Sequence, residues 1–181
     1  MADLTGTTGT WAIDPTHTTI GFSVRHAMVA KVRGRFTDFA GTFTLDGANP
    51  AASTAEIVIQ TASIDTDNAD RDAHLKGADF FNVENTQLLS FKSTSVAQKN
   101  DTNFVVTGDL TLGKHSKSID IAFELVGTST DPWGNARIGF EGETEISRND
   151  FGLTWNAALE TGGVLVGDAI KITLDVEAVK Q

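Results

Sequence analysis

The stretch Ser118-Ile119-Asp120-Ile121-Ala122-Phe123-Glu124-Leu125-Val126 decides the fold. Ile119, Ile121, Phe123 and Leu125 fall on one side, and Asp120 and Glu124 on the other. Successive side chains of a strand point to opposite faces, so this segment has one face in apolar surroundings and one in water. The same period of two recurs at Ile20/Phe22/Val24, Phe104/Val106, Leu110/Leu112, Ile138/Phe140 and Ile170/Ile172/Leu174/Val176. Many such strands in one chain make a sandwich or a closed barrel. A closed barrel of this size can be hollow, and a hollow apolar barrel is suited to lipid.

About eight strands are expected. They run Thr10–Ile13 continuing through Thr18–His26, then Val32–Leu45, Thr54–Ala62, Leu88–Ala97, Phe104–Leu112, Ser118–Thr128, Ala136–Ser147 and Ala169–Val179. Gly34 and Gly41 lie inside the second strand, where glycine often marks a bend or bulge. Most connections are short, which favours an antiparallel meander that closes if the first and last strands meet. One segment breaks the period: residues 67–77 read as a short helix, with Asp67 or Asn68 as N-cap, Asp70 and Asp72 in the first turn, and Lys76-Gly77 at the end. This helix would cover one mouth of a barrel. Gly162-Gly163 and Gly167 mark a loop before the last strand.

With 181 residues the chain fits one domain, residues 1–181, large enough for a core without staples. It has no cysteine, which excludes disulfides and thiolate chemistry. The net charge is −10, which disfavours nucleic acid and anionic membrane surfaces. The opening Met1–Thr10 lacks a basic start and an apolar stretch, so no signal peptide is visible. A cytoplasmic location is expected on that ground, periplasmic or secreted if a leader was trimmed. No run of 18 apolar residues exists, so no membrane-spanning helix is expected. There are 11 Phe and 3 Trp but no Tyr: either an ordinary core, or a cavity wall for a partner with few hydrogen-bonding groups.

Chemistry-bearing motifs are sparse. His17 and His26 lie nine residues apart and would point to opposite faces of a regular strand, and no metal-binding spacing occurs, so no metal site is expected. There is no Gly-x-Ser-x-Gly elbow, phosphate-binding loop or dinucleotide fingerprint. Two compact polar clusters remain, Arg71-Asp72-x-His74 and Arg148-Asn149-Asp150-Phe151-Gly152. Each reads first as a hydrogen-bonded clip at the end of an element. The alternative is that they ring a barrel mouth and meet the polar head of a ligand.

An ordered set of motifs adds to this reading. Trp11-x-Ile13-Asp14-Pro15-x-His17, Phe22-Ser23-Val24-x-His26, Gly34-x-Phe36-x-x-Phe39-x-Gly41, Ser63-Ile64-Asp65-Thr66, Arg71-Asp72-x-His74-Leu75, Asp79-Phe80-Phe81, Phe91-Lys92-Ser93, Gly108-Asp109-Leu110-Thr111-Leu112 and Arg148-x-Asp150-Phe151-Gly152 resemble, in order, the YceI-like, lipocalin-like family. The resemblance runs from about Trp11 to Val179. It departs at Gly113-Lys114-His115-Ser116-Lys117, where relatives often carry a His-Gly-Val-Thr-like turn, and at Asn85-Thr86-Gln87, where a proline is common.

The resemblance implies an all-β, eight-stranded antiparallel up-and-down barrel with a helix beside it. It also implies binding of a long amphiphile, typically a polyisoprenoid such as a quinone or prenyl diphosphate, and in some members a fatty acid or amide. No cofactor is required, and the bound polyisoprenoid is the expected ligand and partner. No nucleic acid and no stable membrane insertion are expected, and a homodimer is allowed. On this reading the tail touches Phe22, Val24, Phe36, Phe43, Ile57, Ile59, Phe91, Phe104, Leu110, Leu112, Ile121, Phe123 and Phe140. Candidates for the head are His17, Arg25, His26, Arg71, His74 and Arg148. Two alternatives stand beside carriage or storage of lipid: an enzyme using a His–carboxylate pair on a buried small molecule, and a barrel filled by its own side chains that serves as a stress or interaction protein.

Overall fold

The period-two segments form one antiparallel sheet in the computed structural model, which describes residues 4–181. Its strands are β1 (Gly9–Ile13), β2 (Thr19–His26), β3 (Ala30–Phe36), β4 (Phe39–Leu45), β5 (Thr54–Gln60), β6 (Ile64–Asp65), β7 (Leu88–Gln98), β8 (Asn103–Leu112), β9 (His115–Thr130), β10 (Ala136–Ser147) and β11 (Val166–Lys180). Strand β11 closes the sheet. One edge pairs with β10 from Arg137↔Val179 to Ser147↔Ala169. The other edge takes β1 near its end (Trp11↔Lys180, Ile13↔Ala178) and β2 along the rest (Thr19↔Asp175, Val24↔Ile170).

Strands β1 and β2 are therefore two halves of one bent strand. The same holds for β3 and β4, which pair with β2 and β1 respectively, and for β5 and β6, separated by a short 3-10 turn at Thr61–Ser63. Counted this way, the barrel has eight strands in up-and-down order, as the sequence predicts.

The bends do not sit where the glycines suggest. Gly34 and Gly41 lie in regular ladder, opposite Phe22 and Ile57. The second strand breaks at Thr37-Asp38 instead. There the Thr37 amide donates to the Ser63 carbonyl (3.2 Å) and Asp38 accepts from the Gln60 amide (2.9 Å). The first strand breaks at residues 14–18, so His17 stands in a turn and not on a strand.

Helix α1 (Ala69–Lys76) follows β6. Asn68 caps it, its side chain accepting from the Arg71 amide at 2.9 Å, and Asp70 and Asp72 complement the positive end of the helix dipole. The leader reading rests in part on Met1–Asp3, which lie outside the described residues.

Two features secure the lower end of the barrel, where β1 meets β11. Trp11 is 2% exposed among Ile138 and Ala178. Its ring stacks on Phe43 (centroids 6.4 Å apart), and its indole N–H donates to the Thr7 carbonyl at 2.9 Å. Beside it, the Arg137 guanidinium donates to Asp14 and Asp131 (2.9 Å each) and to Glu177. His17 Nδ1 sits 2.9 Å from Asp14.

These contacts shift the acids and bases of the knot. Hydrogen bonds from Thr16, His17 and Arg137 hold Asp14 well below the usual carboxylate range. Asn135, its backbone and Arg137 do the same for Asp131. Bonds to Asp14, Asp131 and Glu177 raise Arg137 above its ordinary value. The hydrogen bond to Asp14, then the charge of Glu177, raises His17.

Two tests follow from this end of the barrel. Trp11→Ala is expected to cost about 3–5 kcal/mol in denaturant titration, whereas Trp133→Ala, at a loop residue 81% exposed, should stay within about 0.5 kcal/mol. The second test is the pH dependence of thermal stability. Carboxylates with depressed folded values stabilise above their unfolded value, near 3.9, and lose that contribution as pH falls. Wild-type stability should therefore drop below about pH 4, and Arg137→Met should both destabilise the protein at pH 7 and flatten that drop. His17 acts with the opposite sign: its contribution is full below about pH 6.5 and fades as pH rises through its raised folded value, so His17→Gln should remove that alkaline fall.

Candidate functional site

Alternation along every strand delivers one set of side chains to the interior, and this set does not fill it. A cavity of about 310 Å³ runs through the barrel. At the lower end it is bounded by Leu4, Gly47, Pro50 and Ser53; at the upper end by Leu75 of α1, Phe80, Phe81, Leu153 and Arg148. All thirteen residues expected along a ligand tail, Phe22, Val24, Phe36, Phe43, Ile57, Ile59, Phe91, Phe104, Leu110, Leu112, Ile121, Phe123 and Phe140, border this cavity. The volume lies at the small end of the range for ligand pockets, about 300–1,000 Å³.

How a wall so rich in phenylalanine stays hollow is visible in three contacts. The Phe22 ring lies over Gly34, directly across the β2–β3 ladder, and the Phe123 ring over Gly142, directly across β9–β10. The Phe91 ring lies over Gly108 on β8. A Cβ on Gly34 or Gly108 would come within 2.4 Å of the facing ring, and one on Gly142 within 2.5 Å. Each ring thus occupies the space a neighbouring side chain would take, and lies along the wall instead of across the lumen.

Of the six head candidates, the structure brings only Arg148 to the cavity. It sits in a 3-10 turn at Arg148–Phe151, directly after β10, and is 4% exposed. Its Nε donates to the Gly167 carbonyl (2.8 Å), Nη1 to the Leu153 and Trp155 carbonyls (2.5 and 2.9 Å), and Nη2 to the Val166 carbonyl (3.3 Å). These bonds clip the loop 152–165 to the barrel end. Every acceptor is a neutral carbonyl, and no carboxylate among the described residues forms an ion pair with it. Burial pushes the guanidinium below its ordinary value, and the charge of Asp168 acts in the opposite sense.

The other candidates lie elsewhere. Arg71 donates to the Thr66 hydroxyl and carbonyl (2.8 Å each), while Asp72 accepts from Thr66 (2.6 and 2.9 Å): an end-of-element clip. His74 Nε2 lies 2.9 Å from Asp79 and packs edge-on against Phe80 and Trp155 (centroids 5.1 and 4.8 Å away). Phe80 and Trp155 also touch, at 5.4 Å, so these three rings join the segment after α1 to the loop 152–165 above the cavity. Arg25 and His26 are exposed on β2, and His17 is exposed at the opposite end of the barrel.

The turn at residues 14–18 also gathers ligand atoms of Asp14, His17 and Glu177 within 4.8 Å of one another, which a regular strand would not do. The Arg137 guanidinium is already bonded to Asp14 and Glu177, so a metal cation there would have to displace it. The donor set suits a salt-bridge knot better than an ion.

Sequence reasoning missed part of the wall. Ile170, Ile172, Leu174 and Val176 of β11 border the cavity, and their alternation was available as a signal. Leu4 and Pro50, which close the lower end, lie in 3-10 turns or beside them and carry no periodic signal. Among the described residues no helix is long and apolar enough to cross a membrane.

Residues 11–178 match the family model of the YceI-like domain. Protein YceI of Escherichia coli is 42% identical over 137 residues, covering 76% of this chain and 71% of that protein. A UPF0312 protein of Ectopseudomonas mendocina is 36% identical over 165 residues, covering 91% of this chain and 83% of that protein. Among solved structures, BcnA of Burkholderia cenocepacia shares the fold with a TM-score of 0.80 at 20% identity, over 91% of this chain and 98% of that one. The Campylobacter jejuni YceI protein aligns with a TM-score of 0.74 at 28% identity, over 87% and 90%. A polyisoprenoid binding domain from Saccharophagus degradans, implicated in plant cell wall breakdown, aligns with a TM-score of 0.70 at 16% identity, over 94% and 98%. A model matched along nearly the whole barrel, together with relatives of this identity and coverage, makes this chain a member of the YceI-like domain family.

Proposed function

We propose that this protein binds a long-chain isoprenoid amphiphile, of the quinone or prenyl diphosphate class, inside the barrel and carries or stores it. The observation that supports this most is the apolar cavity running from Leu4 and Pro50 to the buried cation of Arg148. Burying a methylene contributes about 0.8 kcal/mol, so a tail of about twenty carbons could gross roughly 16 kcal/mol. Lost freedom of tail and protein reduces that figure substantially. Tail burial then supplies the affinity, and the head sets direction. Among the described residues Arg148 is the one cation lining the cavity, and no contacting carboxylate matches its charge. It favours a head with anionic or carbonyl oxygens at the upper end. The Saccharophagus degradans neighbour supports the ligand class through a shared architecture.

The enzyme alternative has weaker support. The His74–Asp79 pair lies outside the cavity lining, half exposed to solvent, and serves the ring contacts above the mouth. The filled-barrel alternative conflicts with the open lumen.

Organic extraction and mass spectrometry of the protein as isolated should find a long-chain amphiphile. An empty protein that also ignores prenyl lipids in titration would overturn the proposal. A sharper test uses the wall. Gly142→Ala should turn the Phe123 ring into the lumen, weaken a fluorescent prenyl probe about tenfold, and cost about 1–3 kcal/mol of stability. Gly142→Ala/Phe123→Leu should restore probe binding, because the displaced ring is then absent.

A further inference from the structure

We infer that the β2–β3 hairpin is a docking surface for an anionic phospholipid bilayer, seating the upper end of the barrel on the membrane. The first observation is charge segregation. Between Asp14 and Asp38 the chain contains no acidic residue, yet it carries Arg25, Lys31, Arg33 and Arg35, within a protein of net charge −10. Arg25, Lys31 and Arg33 are exposed, and among the described residues none forms an ion pair; Arg35 is neutralised by Asp65 (2.7 Å) and Asp67 (3.5 Å). Arg25 and Lys31 stand directly opposite each other across the ladder. Like charges in that position destabilise a sheet, so the arrangement has no folding rationale.

The second observation is the tip. Ala27 and Met28 both have positive φ (49° and 66°) in a two-residue turn closed by Val29 N–H donating to the His26 carbonyl. Asn-Gly satisfies such a turn at least cost; Ala-Met does not. The strained turn presents Met28 at 62% and Val29 at 82% exposure. Met28 lies over Gly163, next to the exposed Val164, so two neighbouring loops share one apolar rim. The facing loop, residues 152–165, has a single acidic residue, Glu160.

The third observation is position. Val24, two residues before the tip turn, and Val166, which pairs with His26, both border the cavity. Exposed cations around an apolar tip match anionic headgroups over hydrocarbon: the charges draw the hairpin to the surface, and Met28, Val29 and Val164 enter the acyl boundary. The net charge of the whole chain conceals this face, because a sum over all residues hides the stretch between Asp14 and Asp38 that carries cations and no acid.

The purpose of such docking, passing a lipid between bilayer and lumen, rests on the proposed function; the docking does not. Sedimentation with vesicles therefore tests the surface, and probe titration without vesicles tests the lumen. Equimolar phosphatidylglycerol/phosphatidylcholine vesicles should bind wild-type protein at low salt, with binding lost at high salt. Phosphatidylcholine vesicles should not bind it. At about fivefold per cation, Arg25→Gln/Lys31→Gln/Arg33→Gln should weaken binding about a hundredfold. Met28→Ser/Val29→Ser should weaken it about tenfold or more. Lys92→Gln/Lys99→Gln, remote from the hairpin, should leave it unchanged, and circular dichroism should show every variant folded. No binding by wild type, or equal losses from the remote variant, overturns the inference. So does hairpin-dependent self-association without vesicle binding, which would reassign the face to a second copy.

Discussion

A phenylalanine ring laid over a glycine on the adjacent strand is the contact on which the rest of this barrel depends. Eight strands make a tube narrow enough to be plugged by its own side chains. Here inward positions carry large rings, and a plug would be the default. The pairs Phe22–Gly34, Phe91–Gly108 and Phe123–Gly142 turn those rings sideways, so that apolar area is gained without loss of the lumen. The wall remains aromatic and apolar, and the space it encloses remains available to a guest.

The two ends of the tube are secured by different chemistry. At the lower end Arg137 meets three carboxylates, so its charge is matched and serves to hold β1, β10 and β11 together. At the upper end Arg148 meets four neutral carbonyls. Its donors are largely satisfied while its charge is not. Arg137, partly exposed, thus leaves one end electrostatically closed, whereas Arg148, buried at the other, carries a charge that no contacting carboxylate among the described residues matches.

Much of the fold was legible because period two is a local property: Ile119, Ile121, Phe123 and Leu125 announce a strand without reference to any partner. The same alternation placed Phe22, Phe91 and Phe140 on the cavity side. What was not legible depended on contacts distant in sequence. Whether Gly34 bends a strand or receives a ring depends on Phe22 opposite, and the true break at Thr37-Asp38 is held by Ser63 and Gln60. His17 looked like a strand residue until the turn at Asp14 brought it to Glu177. Arg148, Arg71 and His74 were indistinguishable as head candidates, because only the folded loop 152–165 shows which of them borders the lumen. Whole-chain net charge hid the basic hairpin for the same reason: a sum carries no positions.

Strand β11 joins both edges of the sheet, pairing with β10 on one side and with β1 and β2 on the other. A chain emerging from the ribosome therefore has no enclosed interior until its last long strand arrives. Before then it displays an open, curved sheet with oily positions facing solvent and two unsatisfied edges, the condition in which β proteins aggregate. Closure also requires Trp11 to find Lys180, a pairing across nearly the whole polypeptide, and such distant partners make folding slow. An enclosed lumen in this protein therefore waits on one strand, because β11 alone brings the two edges of the sheet together.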